Sequence, residues 1–284
     1  MRTQLLTLFT LGILFLNALS SFAESVPPKF ALGIGLELSS GTFGTGSTST
    51  YATAPVILDW FPTDRIDLEL TVPFLYQRTT NTGHAMLGTS VQSPATSVAK
   101  SVDRGSMSGS GGGSGGGGSM FGGDYGLGDI TLTSGYTLLS DSDTSPNLRP
   151  TLYVKFPTAD ESNGFGTGKF DFGAGVAVSK WLGNWQPFAE GRYVLQGASH
   201  DETGAENFVT ADTGVAYSWS DHLVTSGFAR YGSKLFDNMA APLEARIKVV
   251  WRFSERAYTD VYALKGFSDG SPDYGGGASV FVEF

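Results

Sequence analysis

Acidic and basic side chains recur at every second residue in several stretches of this sequence. Asp67 and Glu69 share one face of RIDLELTVPFLY (65–76), and LEARIKVVWRF (243–253) repeats the spacing. The same spacing in the predicted strands marks eleven candidate interior charges: Asp67, Glu69, Arg149, Lys155, Glu190, Arg192, Asp212, Arg230, Glu244, Arg246 and Lys248. Acids and bases on adjacent strands can pair. They could form a salt-bridge network that stiffens an interior, or a charged constriction that selects solutes. One network can serve both roles.

Other stretches that could bind ligands lack the residues that their chemistry requires. A phosphate-binding loop needs Lys and Ser/Thr after its glycines, yet no Lys follows 105–123 until Lys155. GGDYGLGD (122–129) resembles a calcium-binding repeat but occurs once, whereas such repeats work in stacks. The three histidines show no metal-ligand spacing and no Ser–His arrangement for hydrolysis. We therefore expect no metal, no cofactor and no enzymatic activity.

The charged positions require strands, because a helix would scatter them around its axis. The period-two pattern recurs in about twelve stretches, most of them long enough for tilted membrane strands. These are 29–38, 50–60, 65–76, 128–139, 147–156, 169–181, 185–196, 207–219, 222–231, 243–253, 256–266 and 274–284. The connections between them alternate, mostly very short and then longer, which is the layout of an outer-membrane barrel.

The aromatic residues favour a membrane β-barrel over a soluble β-sandwich. All five tryptophans lie within a few residues of a predicted short turn, as in a membrane-interface girdle: Trp60, Trp181, Trp185, Trp219 and Trp251. The chain ends on Phe284, an aromatic terminus of the kind that serves as an outer-membrane assembly signal. The sequence thus predicts an all-β fold, a transmembrane antiparallel β-barrel of about twelve strands.

The first residues predict export. Residues 1–23 have a positive start, a short apolar core and small residues at Ser21 and Ala23, as a signal peptide does. Their removal takes away Arg2 and no acid, which leaves 17 basic and 27 acidic residues and a charge of −10. An acidic exported chain is a poor partner for nucleic acid. The absence of cysteine excludes disulfides and a lipoprotein-type anchor.

The Gly/Ser-rich tract 105–123 resembles an interdomain linker but cannot be one in a barrel. Only three predicted strands precede it, and three strands cannot close in lipid without leaving backbone groups unpaired. We expect residues 24–284 to form one barrel with a long extracellular loop at 79–127.

Three stretches together resemble a known family: GLGDITLTSGYTLL (126–139), RPTLYVKFPTAD (149–160) and GTGKFDFGAGVAVSKWLGNWQPFAEGRY (166–193). They are similar to the outer-membrane family labelled "putative MetA-pathway of phenol degradation". The resemblance is best over 126–196 and implies a barrel connected with aromatic-compound catabolism, with uptake of apolar substrates. It carries over no binding residue.

The expected function is passive transport of a small solute, an aromatic or other apolar compound, across the outer membrane. Outer-membrane lipid and the barrel assembly machinery are the other expected partners. The sequence leaves two alternatives open, an outer-membrane lipid hydrolase and a non-conducting structural or adhesive barrel. It does not define the oligomeric state.

Overall fold

A computed structural model describes residues 28–44, 46–79, 124–159, 165–197, 205–236 and 239–284. The predicted signal peptide and most of the predicted long loop lie outside the described residues. The described part is all-β, with these strands: β1 Phe30–Gly41, β2 Ser49–Thr63, β3 Ile66–Thr79, β4 Asp124–Leu127, β5 Ile130–Tyr136, β6 Asn147–Phe156, β7 Asp171–Ser179, β8 Trp185–Leu195, β9 Phe208–Ser220, β10 Leu223–Gly232, β11 Leu243–Ser254, β12 Ala257–Gly266 and β13 Tyr274–Glu283. None of its segments is a helix long and apolar enough to span a membrane.

The strands close into one antiparallel barrel. Neighbours in sequence pair with each other, β1 also pairs with β13, and the β2–β3 pairing completes the ring. β4 and β5 both pair with β3, so they are two segments of one barrel strand and the ring has twelve strands. Closure pairs the backbone groups that an open sheet edge would leave exposed to lipid. The predicted fold class is confirmed.

One predicted strand is wrong in detail. The prediction ends the long loop at 127 and runs the strand over 128–139, but in the structure 124–127 already form β4, Gly128 and Asp129 interrupt the ladder, and β5 ends at Tyr136. The Thr158 hydroxyl accepts a hydrogen bond from the Ile130 amide and donates one to the Gly128 carbonyl. Hydrogen bonds to a distant segment therefore replace the strand pairing at this point. The period-two pattern cannot predict such a contact.

Burial along the strands is the reverse of that in a soluble protein. On β11, Ile247 is 67% exposed and Trp251 is 53% exposed, whereas Arg246 is 7% exposed and Lys248 is 4% exposed. Apolar side chains thus cover the outside of the barrel and charged side chains fill the inside. A membrane barrel requires this arrangement because its exterior is solvated by lipid.

The two ends of the barrel differ. One end, here the turn end, carries both ends of the described chain and the connections 64–65, 137–146, 180–184, 221–222 and 255–256. The other end, the loop end, carries the remaining connections, among them 157–170 and 233–242. Parts of these loops fold inward: Phe165 is 3% exposed and Leu235 is 6% exposed, the latter packed with Val194 and Phe208. The loops therefore cover part of the mouth.

Candidate functional site

The interior of the barrel, here the lumen, contains all the charged residues singled out in the sequence. Nine of these eleven residues are at most 7% exposed, and the other two, Asp67 and Lys155, are half-buried. Alternation along each strand places them there, since successive side chains point to opposite faces of the wall. Their burial shows that they fill the lumen rather than line a wide opening. A role in lining a pore stays a prediction.

Cross-strand and same-strand ion pairs occupy the middle of the lumen. Asp212 and Arg230 face each other on β9 and β10 and form two parallel hydrogen bonds, of 2.9 Å from Nε and 3.0 Å from Nη2. Arg246 donates two bonds to Oε2 of Glu244, two residues away on β11, at 2.9 Å and 2.7 Å. Forked guanidinium–carboxylate pairs of this kind fix geometry more tightly than a lysine does.

The structure adds interior charges that sequence reasoning missed. Lys248 Nζ lies 2.6 Å from Asp260 Oδ2, and Arg252 Nη1 lies 2.9 Å from Glu283 Oε2. Further missed carboxylates are those of Glu37 and Asp59, each less than 9% exposed. The period-two pattern could have found all of them, because each lies on the polar face of its strand. Arg252 lies on the same face of β11 as Lys248.

Charge is distributed unevenly around the wall. In the described part of the chain, the interior basic residues lie on β6, β8, β10 and β11, whereas the strands from β12 through β13, β1, β2 and β3 contribute only carboxylates. Arg149 reaches across to this acidic side and pairs with Asp67. It passes over Gly135, where an added Cβ would lie 2.1 Å from Arg149 Nη2. A glycine is therefore needed on β5 for this pair to form.

Lys155 binds two acids at the loop end. Its Nζ lies 2.7 Å from Asp171 Oδ2 and 3.3 Å from Asp129 Oδ2, and it donates to the Thr167 hydroxyl at 3.1 Å. Asp129 lies in the interruption between β4 and β5, so this lysine ties the broken strand to β7. In the structure, Lys155 thus holds these segments in position.

Aromatic rings accompany three of the interior guanidinium groups. Arg192 lies 5.0 Å from the ring centre of Tyr153, and its Nη2 is 3.7 Å from Glu190 Oε1. Arg246 and Arg252 lie 5.4 Å from the ring centres of Tyr262 and Tyr258. Cation–π contacts of this kind stabilise a desolvated guanidinium more than an exposed one.

The predicted girdle residues lie at the turn end. Trp60, Trp185, Trp219 and Trp251 are 43–63% exposed on the outside of the barrel, where a membrane interface would meet them. Trp181 differs: it is half-buried, and its backbone amide donates to Asp141 of the 137–146 turn at 2.9 Å. The girdle function stays a prediction for all five.

The 137–146 turn is held by one carboxylate. Asp141 accepts hydrogen bonds from the Trp181 amide and from Lys180 Nζ at 3.0 Å. Burial alone would raise the pKa of Asp141, but these hydrogen bonds outweigh it and keep the pKa below its ordinary value. Lys180 also donates to the Ser142 and Ser145 carbonyls, so it joins two turns.

The described residues offer no alternative chemical site. Among them no three His, Cys, Asp or Glu side chains are grouped to hold a metal ion. His222 is exposed in the 221–222 turn, whereas His84 and His200 lie outside the described residues. The lumen is thus the place where the chain concentrates its polar chemistry. Such an interior can bind, orient and select a solute without covalent chemistry.

Solved outer-membrane barrels have a similar fold. The COG4313 outer membrane channel from Pseudomonas putida F1 matches 93% of this chain and 98% of its own, with a TM-score of 0.63 and 15% identity. The KdgM porin matches 89% and 99%, with a TM-score of 0.52 and 6% identity. The translocator domain of autotransporter NalP from Neisseria meningitidis matches 100% and 98%, with a TM-score of 0.51 and 11% identity. At these identities the likeness shows the fold.

Sequence comparison defines the family. No curated protein sequence matches this chain. The profile described as "Putative MetA-pathway of phenol degradation" matches residues 74–284, from β3 through to the end of the chain. The closed barrel has an apolar exterior that suits lipid, and the protein is an outer-membrane protein. The chain belongs to the family described as "Putative MetA-pathway of phenol degradation".

Proposed function

We propose that this protein is a narrow outer-membrane channel for the passive passage of a small solute. The observation that carries the proposal is the charged lumen: acids and bases face each other inside a closed barrel whose exterior suits lipid. Ionised groups in a membrane-spanning interior are costly and usually mark a solute or ion pathway. A twelve-stranded barrel is also wider than an eight-stranded one, whose interior side chains alone fill it.

The proposed solute is an aromatic or other apolar compound. The family description refers to phenol degradation, and a protein that serves such a route at the cell surface would admit its substrate. Fold similarity alone supplies no substrate. The solute class is therefore the finer part of the proposal and is tested separately from conduction.

A second candidate is a non-conducting structural barrel. The burial of the lumen charges favours it, because Asp212 at 1% exposed and Glu244 at 3% exposed leave little open space in this conformation. For conduction, some of these ion pairs must separate or shift. Within the described residues the hydrolase alternative has no comparable support, since His222, the one histidine among them, is exposed in a turn.

Reconstitution into planar bilayers distinguishes the candidates. For a channel we expect discrete conductance steps that disappear when the barrel is heat-unfolded before insertion. Lys248→Met should move the permeability ratio towards cations, because it removes a lumen cation and leaves Asp260. Lys265→Met, on an exposed residue of β12, is the matched control and should leave the ratio unchanged. Folded protein without conductance or solute flux would support the structural barrel instead.

A further inference from the structure

Four aromatic rings break the polar pattern of the lumen. Phe188 and Phe228 form one pair, with ring centres 5.9 Å apart at 61°, and Tyr258 and Phe281 form the other, 4.7 Å apart at 6°. These residues are 5% exposed or less, so the rings face inward and not towards lipid. Val250 on β11 packs against both pairs and joins them. We name these five residues the lumen aromatic cluster.

Two glycines provide the space in which these rings lie. Gly214 on β9 faces both Phe188 and Phe228 in the strand register, and an added Cβ there would lie 2.3 Å from Phe228 Cβ. Gly33 on β1 faces Phe281, and an added Cβ there would lie 2.3 Å from Phe281 Cε1. Backbone without a side chain lets a flat ring rest directly on the wall. Each pair therefore has at least one ring that lies over a glycine, and Val250 packs against both pairs.

The cluster lies next to charged groups. On β8, Phe188 is followed two residues later by Glu190, and on β10 Phe228 is followed by Arg230, on the same face. Arg252 lies 5.4 Å from the ring centre of Tyr258. A flat apolar surface and ion-pair partners thus meet at one level of the lumen. The ligand that such a surface complements is a planar ring that carries a polar or ionised group.

We propose that the lumen aromatic cluster is a binding subsite for the aromatic ring of a small solute. The ring lies against Val250, the half-buried member of the cluster, and its polar substituent meets the neighbouring charges. This inference deepens the proposed channel function and rests on it for the route by which the solute arrives. It assigns ring recognition to residues on β8, β10, β11, β12 and β13.

The test compares two probes that share a charged group but carry a flat aromatic ring or a puckered saturated ring. Benzenesulfonate and cyclohexanesulfonate have rings of the same number of carbons and the same permanently ionised group, so neither crosses a bilayer by losing its charge. Binding to the detergent-solubilised barrel is measured by saturation-transfer NMR, and flux is measured in proteoliposomes. We expect benzenesulfonate to bind about fivefold more tightly, since aromatic contacts exceed their area contribution by that order.

Two variants alter the subsite in opposite ways. Phe228→Leu combined with Phe281→Leu keeps an apolar surface but removes two flat rings, and should bring the affinity ratio of the probes close to one. Val250→Phe fills the entry with a ring of the chain itself and should abolish binding of benzenesulfonate. Phe172→Leu is the matched control, because Phe172 is 53% exposed on the outside of the barrel. Heat-modifiable gel migration verifies that each variant is folded.

The outcomes separate this inference from the channel proposal. Equal binding of the two probes to the wild-type protein would overturn the subsite, and so would a preserved ratio in the folded double leucine variant. If the wild-type protein conducts ions but shows either result, the channel proposal stands and the subsite falls. If benzenesulfonate binds with the expected ratio while neither conductance nor flux occurs, the subsite stands and the channel proposal falls.

Discussion

At the residue scale, the Asp212–Arg230 pair is the clearest case of a charge that depends on its partner. Both residues are at least 95% buried, and two hydrogen bonds join them. Arg230→Met leaves the Asp212 carboxylate without its guanidinium, and we expect the free energy of unfolding to fall by about 3–5 kcal/mol. Urea titration of the barrel in lipid vesicles measures this loss.

The double variant Asp212→Asn with Arg230→Met should recover part of the stability, because it no longer buries an uncompensated charge. Arg65→Met, at the exposed 64–65 turn, is the surface control and should change the free energy of unfolding by less than about 0.5 kcal/mol. A double variant less stable than Arg230→Met by itself would contradict the explanation.

Asp141 makes a pH-dependent contribution to the free energy of unfolding, and a single substitution can isolate it. Because its pKa is lower in the folded protein than in the unfolded chain, its contribution to stability is complete above the unfolded pKa of about 4 and is lost as the pH falls through the folded pKa. The stability difference between wild type and Asp141→Asn should therefore be constant from pH 5 to 8 and shrink below pH 4. Urea titrations across this range measure it. Asp143→Asn, exposed in the same turn, is the control, and an equal pH dependence in both variants would contradict this role.

At the element scale, the terminal strand β13 closes the barrel against β1. The Phe284 carbonyl accepts bonds from the Lys29 and Phe30 amides at 3.1 Å, and its ring stacks on Phe30 with centres 5.8 Å apart. The sequence predicts an assembly signal at this residue. Deletion of Phe284 should lower the yield of heat-modifiable barrel in the outer membrane several-fold, because both closure contacts and the terminal aromatic are lost. Quantitative gels of outer-membrane fractions measure the yield.

Phe284→Tyr supplies the control for that experiment, since it keeps an aromatic ring and the same backbone contacts. Its yield should stay close to that of the wild type. Unchanged assembly after the deletion would show that the closing contacts of β13 elsewhere, such as Leu32 with Val282, are sufficient.

At the scale of the whole molecule, the Gly/Ser-rich tract is expected to be dispensable for the barrel. Replacement of 105–123, which lie outside the described residues, by a short Asn-Gly connection should leave the barrel folded because shorter loops have a smaller closure entropy. Conductance should rise or stay the same. Ion selectivity should persist, because we assign it to lumen cations: Arg192, Arg230, Arg246 and Lys248. Bilayer recordings measure both quantities, and loss of selectivity in a folded variant would make the loop the filter.

The sequence alone determined the barrel class, the face on which each charge lies and the alternation of turns and loops. These follow from side-chain direction, which depends on local backbone geometry and has a period of two. The same rule identified the eleven lumen charges. It could also have identified Glu37 and Asp59, which lie on the inward-facing sides of β1 and β2.

Only the tertiary structure decided which charges pair, where a strand breaks and which inward-facing aromatic rings pack together. Arg149 reaches Asp67 because Gly135 lies between them, and the break at Gly128 depends on Thr158 in the 157–170 connection. The Phe281 ring rests on the lumen wall because Gly33 on the neighbouring strand leaves it space. Each of these depends on residues that closure brings together from distant positions, and a local pattern contains no information about such partners.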